Sequence, residues 1–312
     1  MGPSIESLLP PLTPESLRCI YRLQRYVPPV ESRRIPRKRS AAVAVVLFVG
    51  RLGDLYVLLS TRAGDMRTYA HDTALPGGKY EEGDVDPEGT ARREAFEEIG
   101  LPMDREKVVK LCEMEKFMTG NSLIVTPVIL IVTDHTLSPL LNPSEVGRLF
   151  SMPLSAFLHS RPSQIPSFHY RISHRLSKIP YWVIDNIPPP PPVLYAQGLG
   201  GEDVIGGKEG RFYGYRDIQW GEGKVRFHRF LTGRESEGVK PVYGLTAAIL
   251  IHSASIGYDQ APDFDVQAPG QKSMMERMTH EIRQGEGPLR RAVDQEGLWE
   301  DWKGDQDVKA KL

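Results

Sequence analysis

The sequence has few cysteines, no apolar run long enough to cross a bilayer and no excess of charge of either sign. Cys19 and Cys112 are the two cysteines among 312 residues. Two cysteines exclude a disulfide framework and a four-cysteine zinc site, and they suit a reducing compartment. The longest apolar stretches, residues 41–49 and 123–132, are much shorter than the ~20 residues of a membrane-spanning helix. We therefore expect no membrane span.

The charges balance, with 39 Lys and Arg against 40 Asp and Glu and a formal net charge of -1. This balance excludes a protein-wide basic field for nucleic acid and the strongly acidic character of disordered chains. A secretory signal is not expected either, because Pro3, Glu6 and Pro10 lie where its apolar segment would be. At ~150 residues per domain, the length allows two domains or one enlarged domain.

Sequence periodicity predicts a chain of alternating helices and strands. A proline suited to the first helical turn at Pro14 and a stop at Pro28 predict a helix over residues 12–27. Apolar, β-branched runs predict buried strands over 41–49 and 123–132. The remaining predicted elements are a strand over 55–60, helices over 90–99, 143–149, 153–159 and 271–284, and strand-like apolar segments over 225–231 and 242–252.

The composition divides the chain into an N-terminal arm, a main domain and a polar extension. We expect a helical arm over residues 1–39, a main domain over 40–258 and an extension over 259–312. Within the main domain, residues 186–223 contain a run of prolines followed by many glycines. We expect this segment to be a surface insertion, which is either simply flexible or suited to binding a partner through its polyproline run.

Three carboxylates are the strongest chemical signal in the sequence. On a helix, Glu94, Glu97 and Glu98 occupy positions i, i+3 and i+4, so they lie on one face. Like charges at this spacing repel one another, and a divalent cation would compensate for them. Oxygen ligands without histidine or cysteine favour Mg²⁺ or Mn²⁺. The alternative is an ordinary solvated acidic face.

The surrounding residues resemble the Nudix box, the loop-helix signature of hydrolases that cleave nucleoside diphosphates linked to another group. Its usual pattern is G-x5-E-x7-R-E-U-x-E-E-x-G-U, in which U is a bulky aliphatic residue. Residues 93–101 match this pattern, with Ala95 at the first U position. Upstream, Gly78 is followed after five residues by Asp84 in place of Glu, and eight residues instead of seven precede Arg93.

A second segment is similar to the coenzyme A diphosphatase subgroup of that family. The subgroup pattern L-L-T-x-R-[SA]-x3-R-x3-G-x3-F-P-G-G matches residues 58–78 at every spacing. Three residues differ: Ser60 replaces Thr, His71 replaces Gly and Leu75 replaces Phe. Glycine at such a position is typical of a backbone conformation that most side chains avoid. Weaker similarities at 142–146, 153–154 and 243–247 extend the resemblance to roughly residues 40–255.

The resemblance implies an α/β fold, the Nudix α/β/α sandwich with a mixed sheet, flanked by the N-terminal helix and the C-terminal extension. It implies that Glu94, Glu97 and Glu98 hold Mg²⁺ or Mn²⁺ against a diphosphate. Arg93 would orient Glu94 by a charge-assisted hydrogen bond. The general base would be Glu94 or Glu145, and Glu145 could instead be an ordinary charge at a helix N-terminus.

The resemblance also implies where substrate phosphates bind. Gly77 and Gly78 would let the backbone approach a phosphate closely. Arg62 and Arg67 would contact phosphates, because Arg offers bidentate geometry. The alternative for both arginines is structural pairing with the acidic loop at 81–86.

The implied reaction is metal-dependent hydrolysis of coenzyme A and acyl-coenzyme A to 3′,5′-ADP and (acyl-)4′-phosphopantetheine. The alternatives are a Nudix diphosphatase of another nucleotide, such as ADP-ribose, and an inactive Nudix-like binding module. The last residues, Ala310-Lys311-Leu312, resemble the S-K-L peroxisomal address. They predict recognition by the peroxisomal import receptor and a peroxisomal location, with a cytoplasmic one as the alternative.

Overall fold

The computed structural model describes residues 4–29, 31, 33–64, 71–134, 136–161, 212–221 and 223–303. Arg67, most of the 186–223 segment and the tripeptide Ala310-Lys311-Leu312 lie outside the described residues. Among the described residues, no helix combines the length and the apolar character needed to span a bilayer.

The described chain contains two sheets and several helices. The described residues form eleven strands: β1 Ser40–Val49, β2 Leu55–Arg62, β3 Thr73–Ala74, β4 Gly77–Lys79, β5 Val108–Glu113, β6 Phe117–Met118, β7 Ile124–Val132, β8 Val146–Pro153, β9 Tyr213–Trp220, β10 Gly223–Phe230 and β11 Val242–Tyr243. The α-helices of the described chain are α1 Ile5–Leu8, α2 Pro14–Arg25, α3 Pro87–Ile99, α4 Gly244–Tyr258, α5 Met274–Arg283, α6 Pro288–Gln295 and α7 Trp299–Trp302. Short 3-10 turns cover Arg37–Arg39, Leu154–Leu158 and Glu235–Glu237.

The larger sheet is mixed. Its strands follow the order β3-β2-β1-β7-β5, while β4 also pairs with β1, β6 with β7 and β8 with β2. Strands β1 and β7 run parallel, and the remaining pairs in this sheet are antiparallel. A second, three-stranded sheet has the order β11-β10-β9.

Helices cover both faces of the larger sheet. On one face, Ala91 and Ala95 of α3 pack against small and branched residues of β1 and β7, including Ala44 and Val128. On the other face, residues of α2 and α4, such as Leu23 and Ala254, join a larger cluster. Alternate residues of one strand point to opposite faces, so β1 supplies both cores. This arrangement is the predicted α/β/α sandwich with a mixed sheet.

Several predicted elements have a different structure. Residues 146–149 were predicted as helix but belong to strand β8, which pairs with β2 over its whole length. The strand-like segment 242–252 is mainly helix α4, because a continuous apolar run does not distinguish a buried helix from a buried strand. The end of the predicted surface insertion, 213–220, is strand β9, which forms a hairpin with β10.

The predicted polar extension is helical and packed as far as residue 303. Its helices α5, α6 and α7 bury one apolar stripe each, and these stripes enclose Trp302. The Trp302 indole N–H donates to the Arg34 carbonyl at 2.9 Å, and the Arg33 guanidinium lies 4.7 Å from its ring centre. The extension therefore holds the N-terminal arm against the sheet. Its mostly polar composition did not predict this packing.

Candidate active site

Helix α3 carries the acidic segment and begins three residues earlier than the sequence predicts. Pro87 occupies its first turn, and the Asp86 carboxylate accepts a hydrogen bond from the Gly89 N–H at 2.7 Å. A proline and an aspartate suit this end because the first N–H groups of a helix have no partner within it. Thr90, the predicted cap, instead donates its hydroxyl to Asp84 at 2.8 Å.

The three predicted metal ligands lie on one face of α3 but differ in exposure. Glu98 is 7% exposed, whereas the Glu94 side chain is 15% and the Glu97 side chain 49% exposed. Ala95 and Ile99 are buried under the helix against the sheet. The acidic face therefore runs from a buried end at Glu98 to a solvent-facing end at Glu97.

Arg93 connects this face to the preceding loop. Its guanidinium lies 3.0 Å from a carboxylate oxygen of Glu94 and 3.1 Å from one of Glu97. It also donates two hydrogen bonds of 3.1 Å to Asp84 and one of 2.9 Å to the Lys79 carbonyl. Burial opposes ionisation of Asp84, but the bonds from Arg93 and other donors hold the pKa of Asp84 below its usual value. Asp84 is thus bound by Arg93 and fixes the loop on the helix.

Gly77 and Gly78 are required by close approaches inside the protein. A side chain on Gly78 would collide with the Glu94 carboxylate, and one on Gly77 would collide with the Ala42 carbonyl oxygen of β1. The two glycines therefore let β4 lie between β1 and the acidic face. The Gly77 N–H also donates to Glu98. Their closeness to phosphate, which the sequence resemblance implies, stays a prediction.

Burial and neighbouring carboxylates disfavour the ionised form of Glu98. Desolvation, followed by the negative charges of Glu94 and Glu145, raises the pKa of Glu98 to about 8. The positive charge of Arg62 and the Gly77 N–H act in the opposite direction. Burial also raises the pKa of Glu94, although Arg93 opposes the shift. The protein thus places these carboxylates close together. Without a bound cation, the Glu98 carboxyl favours its protonated form.

Arg62 and Glu145, at the ends of two neighbouring strands, both lie close to Glu98. Arg62 ends β2, and its buried Nε has no hydrogen-bond partner among the described residues. Glu145 directly precedes β8, and its carbonyl accepts a hydrogen bond of 2.8 Å from the Ala63 N–H. Glu145 therefore lies in a turn before a strand, which removes the alternative of a helix N-terminal charge. The acidic loop is bound by Arg93, not by Arg62 as the structural alternative supposed.

The donor set fits a hard divalent cation in its chemistry. Within the described ranges, no three Asp, Glu, His or Cys side chains stand ready as a metal site. Glu94 and Glu97 are drawn to Arg93, and Glu98 is bonded to the Gly77 N–H. However, the cluster is formed by carboxylates whose mutual repulsion and burial a cation would relieve.

His71 occupies the position of the subgroup's glycine and has the backbone that glycine favours. Its φ is 63°, in the left-handed region. Its imidazole lies directly over Gly64, where a Cβ would collide with the ring. The strain at His71 is thus tolerated, and Gly64 provides the space for the ring.

Replacing His71 tests this backbone requirement. His71→Val should lower the free energy of unfolding by about 1–2 kcal/mol more than His71→Gly, because the left-handed conformation penalises a branched side chain. Urea unfolding of the two variants measures the difference. Equal stabilities would contradict the account of position 71.

Sequence reasoning did not predict the partners of Asp72. Its carboxylate is bound by Lys240, at 2.6 Å, and by the Tyr243 hydroxyl. Tyr243 begins one of the weaker similarities found in the sequence, so a signal existed, but the pairing joins residues about 170 positions apart. Only the fold brings them together.

Comparisons with known proteins agree with the fold and the acidic helix. The NUDIX domain model matches residues 38–176. An uncharacterized Nudix hydrolase NudL of Photorhabdus laumondii is 32% identical over 151 residues, which cover 48% of this chain and 75% of the relative. The chain belongs to the Nudix hydrolase family. Nudix hydrolases act on nucleotide-linked small molecules and generally use divalent metal ions.

Two further Nudix relatives differ in their named locations. Nudix hydrolase 15, mitochondrial, of Arabidopsis thaliana is 32% identical over 234 residues, which cover 75% of this chain and 64% of the relative. Peroxisomal coenzyme A diphosphatase 1 of Saccharomyces cerevisiae is 34% identical over 169 residues, which cover 45% of this chain and 50% of the relative. The chain therefore spans between half and two thirds of the length of these two relatives.

Proposed function

We propose that this Nudix protein hydrolyses the diphosphate bond of coenzyme A and acyl-coenzyme A, giving 3′,5′-ADP and (acyl-)4′-phosphopantetheine. The observation that carries the proposal is the position of Arg62. This residue belongs to the 58–78 segment that resembles coenzyme A diphosphatases, and its positive charge lies beside Glu98 of the acidic helix. The similarity to a relative named coenzyme A diphosphatase supports the same substrate class.

The acidic face would hold the cation. Glu94, Glu97 and Glu98 supply carboxylate oxygens, which suit Mg²⁺ or Mn²⁺. A bound cation would neutralise charge on the diphosphate and lower the pKa of a water molecule. Arg93 orients Glu94 through a hydrogen bond of 3.0 Å and is itself fixed by Asp84. Arg93 therefore prepares the ligands and need not touch the substrate.

Arg62 would bind the diphosphate next to these ligands. Its Nε–H is buried without a partner among the described residues, and an unpaired buried donor is costly. A phosphate oxygen would satisfy it with a charge-assisted hydrogen bond. We propose that Arg67, outside the described residues, adds a further positive charge, which suits the 3′-phosphate of coenzyme A. Gly77 and Gly78 would keep the backbone close to the phosphates.

Glu94 and Glu145 are the candidates for the general base. Both lie close enough to Glu98 to raise its pKa, so both border the same space. Glu94 is bound by Arg93, which favours its ionised form and its role as a ligand. Glu145 is outside that ion pair, and we favour it for accepting the proton from water. At Mg²⁺ concentrations that saturate the protein at every pH, Glu145→Gln should then remove the acidic limb of the pH-rate profile, whereas a Glu94 base predicts that this limb persists.

The experiment that tests the substrate is a comparison of coenzyme A, dephospho-coenzyme A and ADP-ribose, with the purified 312-residue chain and Mg²⁺. A kcat/KM that is highest for coenzyme A, with release of 3′,5′-ADP, supports the proposal. Equal kcat/KM values indicate a general diphosphatase, and preference for ADP-ribose indicates another nucleotide specificity. Turnover of none of the three, in Mg²⁺ or Mn²⁺, favours an inactive binding module.

Arg62→Ala should raise KM for coenzyme A by about tenfold or more, because a charge-assisted phosphate contact is lost. Steady-state kinetics measures the change. Arg148→Ala is the matched control, since Arg148 lies on neighbouring strand β8 but pairs with Glu237 at 2.7 Å on the surface. The same KM increase in both variants would contradict the assignment of Arg62.

We also propose a peroxisomal location, through recognition of Ala310-Lys311-Leu312 by the import receptor. The yeast relative's name supports this location, whereas the Arabidopsis relative is named mitochondrial. A fluorescent fusion at the N-terminus should be peroxisomal and should become cytoplasmic when these three residues are removed. A cytoplasmic pattern for the intact fusion would contradict the proposal.

A further inference from the structure

Asp72 is a nearly buried carboxylate outside the acidic face. It is 9% exposed. Its two oxygens accept hydrogen bonds from the Lys240 ammonium, at 2.6 Å, and from the Tyr243 hydroxyl. A buried carboxylate with two such partners is held in one position, because losing either partner leaves a desolvated charge.

The backbone of Asp72 is directly joined to that of Arg62. The Arg62 N–H donates to the Asp72 carbonyl at 2.9 Å, and the His71 N–H donates to the Arg62 carbonyl at 3.2 Å. On the other side of Arg62, the ladder with β8 is irregular between Thr61 and Arg62. The bond to Asp72 therefore supports Arg62 where the pairing with β8 becomes irregular.

Thr73, the residue after Asp72, is also hydrogen-bonded to the start of α4. The Thr73 hydroxyl donates to the Pro241 carbonyl at 2.6 Å, and the Thr246 hydroxyl donates to the Thr73 carbonyl at 3.4 Å. The short segment 240–246, at the start of α4, is thus hydrogen-bonded to both Asp72 and Thr73. These hydrogen bonds connect the segment to β3 and to the residue before it, and β3 pairs with β2, the strand that ends at Arg62.

We propose that Asp72 is a positioning residue that, clamped by Lys240 and Tyr243, places Arg62 against the diphosphate beside Glu98. This inference rests on the proposed function and assigns a role to residues that do not touch the substrate. The Arg62 Nε has no protein partner among the described residues, so no hydrogen bond at that atom fixes the guanidinium in the absence of substrate. The direction of the guanidinium then depends on the main chain at Arg62, which is held by the bond to the Asp72 carbonyl on one side and by β8 on the other.

The test is a double-mutant cycle on KM for coenzyme A. Asp72→Asn and Tyr243→Phe should each raise KM about three- to tenfold, with kcat changed less than about twofold, since one hydrogen bond to a charged group is weakened. In the Arg62→Ala background, Asp72→Asn should leave KM unchanged within about twofold, because contacting and coupled sites are not additive. Lys240→Arg keeps the charge and should retain a near-normal KM, whereas Lys240→Met should not.

Asp217→Asn is the matched control. Asp217 accepts two hydrogen bonds, of 2.8 and 2.9 Å, from the buried Arg226, but it lies on β9, at the opposite edge of the three-stranded sheet from β11 and Tyr243. This variant should lower the melting temperature without raising KM. If Asp72→Asn does not fold, Tyr243→Phe carries the same test with a smaller perturbation.

The outcomes separate this inference from the proposed function. A wild-type protein that hydrolyses none of the three substrates contradicts the proposed function and the inference with it. An active wild type whose KM is unaffected by Asp72→Asn and Tyr243→Phe contradicts the inference alone. So does a KM effect that persists undiminished in the Arg62→Ala background, or one that Asp217→Asn reproduces.

Discussion

Glu98→Gln should lower kcat about 10²–10³-fold and leave the metal-free protein as stable as the wild type or more stable. The loss of activity follows because a metal ligand contributes several kcal/mol to the transition state. The gain in stability follows because burial, Glu94 and Glu145 raise the pKa of Glu98. A neutral amide of nearly the same shape removes that electrostatic penalty. Steady-state kinetics and urea unfolding in EDTA measure the two effects.

Glu88→Gln is the matched control for this prediction. Glu88 lies on the same helix and is 5% exposed, but it is surrounded by cations: Arg92 at 2.8 Å, Lys110 at 3.0 Å and Arg105 at 3.3 Å. Burial favours the neutral form, but the hydrogen bonds and charges of Arg92 and Lys110 hold the pKa of Glu88 below its usual value. Its substitution should therefore lower stability by about 3 kcal/mol and leave kcat unchanged. An active Glu98→Gln variant, or one that unfolds like Glu88→Gln, would contradict the metal-ligand assignment.

Mg²⁺ binding should strengthen by about tenfold for each pH unit between pH 6 and 8 and then level off. In the metal-free fold, the pKa of Glu98 is raised from 4.5 to about 8, so the folded state keeps a proton that the unfolded chain has lost. The metal-free stability due to Glu98 is present below pH 4.5 and is lost progressively as the pH rises to about 8. A cation must displace this proton, which gives the tenfold dependence on pH.

Titration of Mg²⁺ at pH 6, 7, 8 and 9, followed by the melting temperature, measures this dependence. Glu98→Gln provides the control, since it has no proton to displace and should bind Mg²⁺ weakly with a much flatter pH dependence. An Mg²⁺ affinity that does not change with pH in the wild type would contradict the pKa of Glu98. The same slope in Glu98→Gln would assign the proton to another residue.

Local signals were sufficient for the elements that build the acidic site. The strand Ile124–Val132 was predictable because it is apolar throughout, as a central strand buried on both faces must be. Helix α2 was predictable from Pro14 at its start. Residues 242–252 were not, because their hydrophobicity is continuous and α4 is buried on most sides. Residues 146–149, the first half of the strand Val146–Pro153, were predicted as helix because the pairing with β2 is a property of the whole sheet.

In the candidate site, too, local features were predictable from the sequence and contacts between elements were not. The spacing of Glu94, Glu97 and Glu98 placed them correctly on one face, since helical geometry is local. Their difference in burial depends on β4 and β8 and could not be read from the spacing. The role of Gly78, which makes room for the Glu94 carboxylate, likewise depends on a contact between elements. The hydrogen bonds to Asp72 come from Lys240 and Tyr243, which are far from it in the sequence and could not be predicted locally.

The most direct test of the central claim is the reaction itself: the purified 312-residue protein, coenzyme A and Mg²⁺, with the products identified by mass spectrometry. We expect 3′,5′-ADP and 4′-phosphopantetheine in equal amounts, and about 10²–10³-fold slower release of both when Glu98→Gln replaces the wild type under the same conditions. Intact coenzyme A after incubation of the folded wild type with both Mg²⁺ and Mn²⁺ would contradict it.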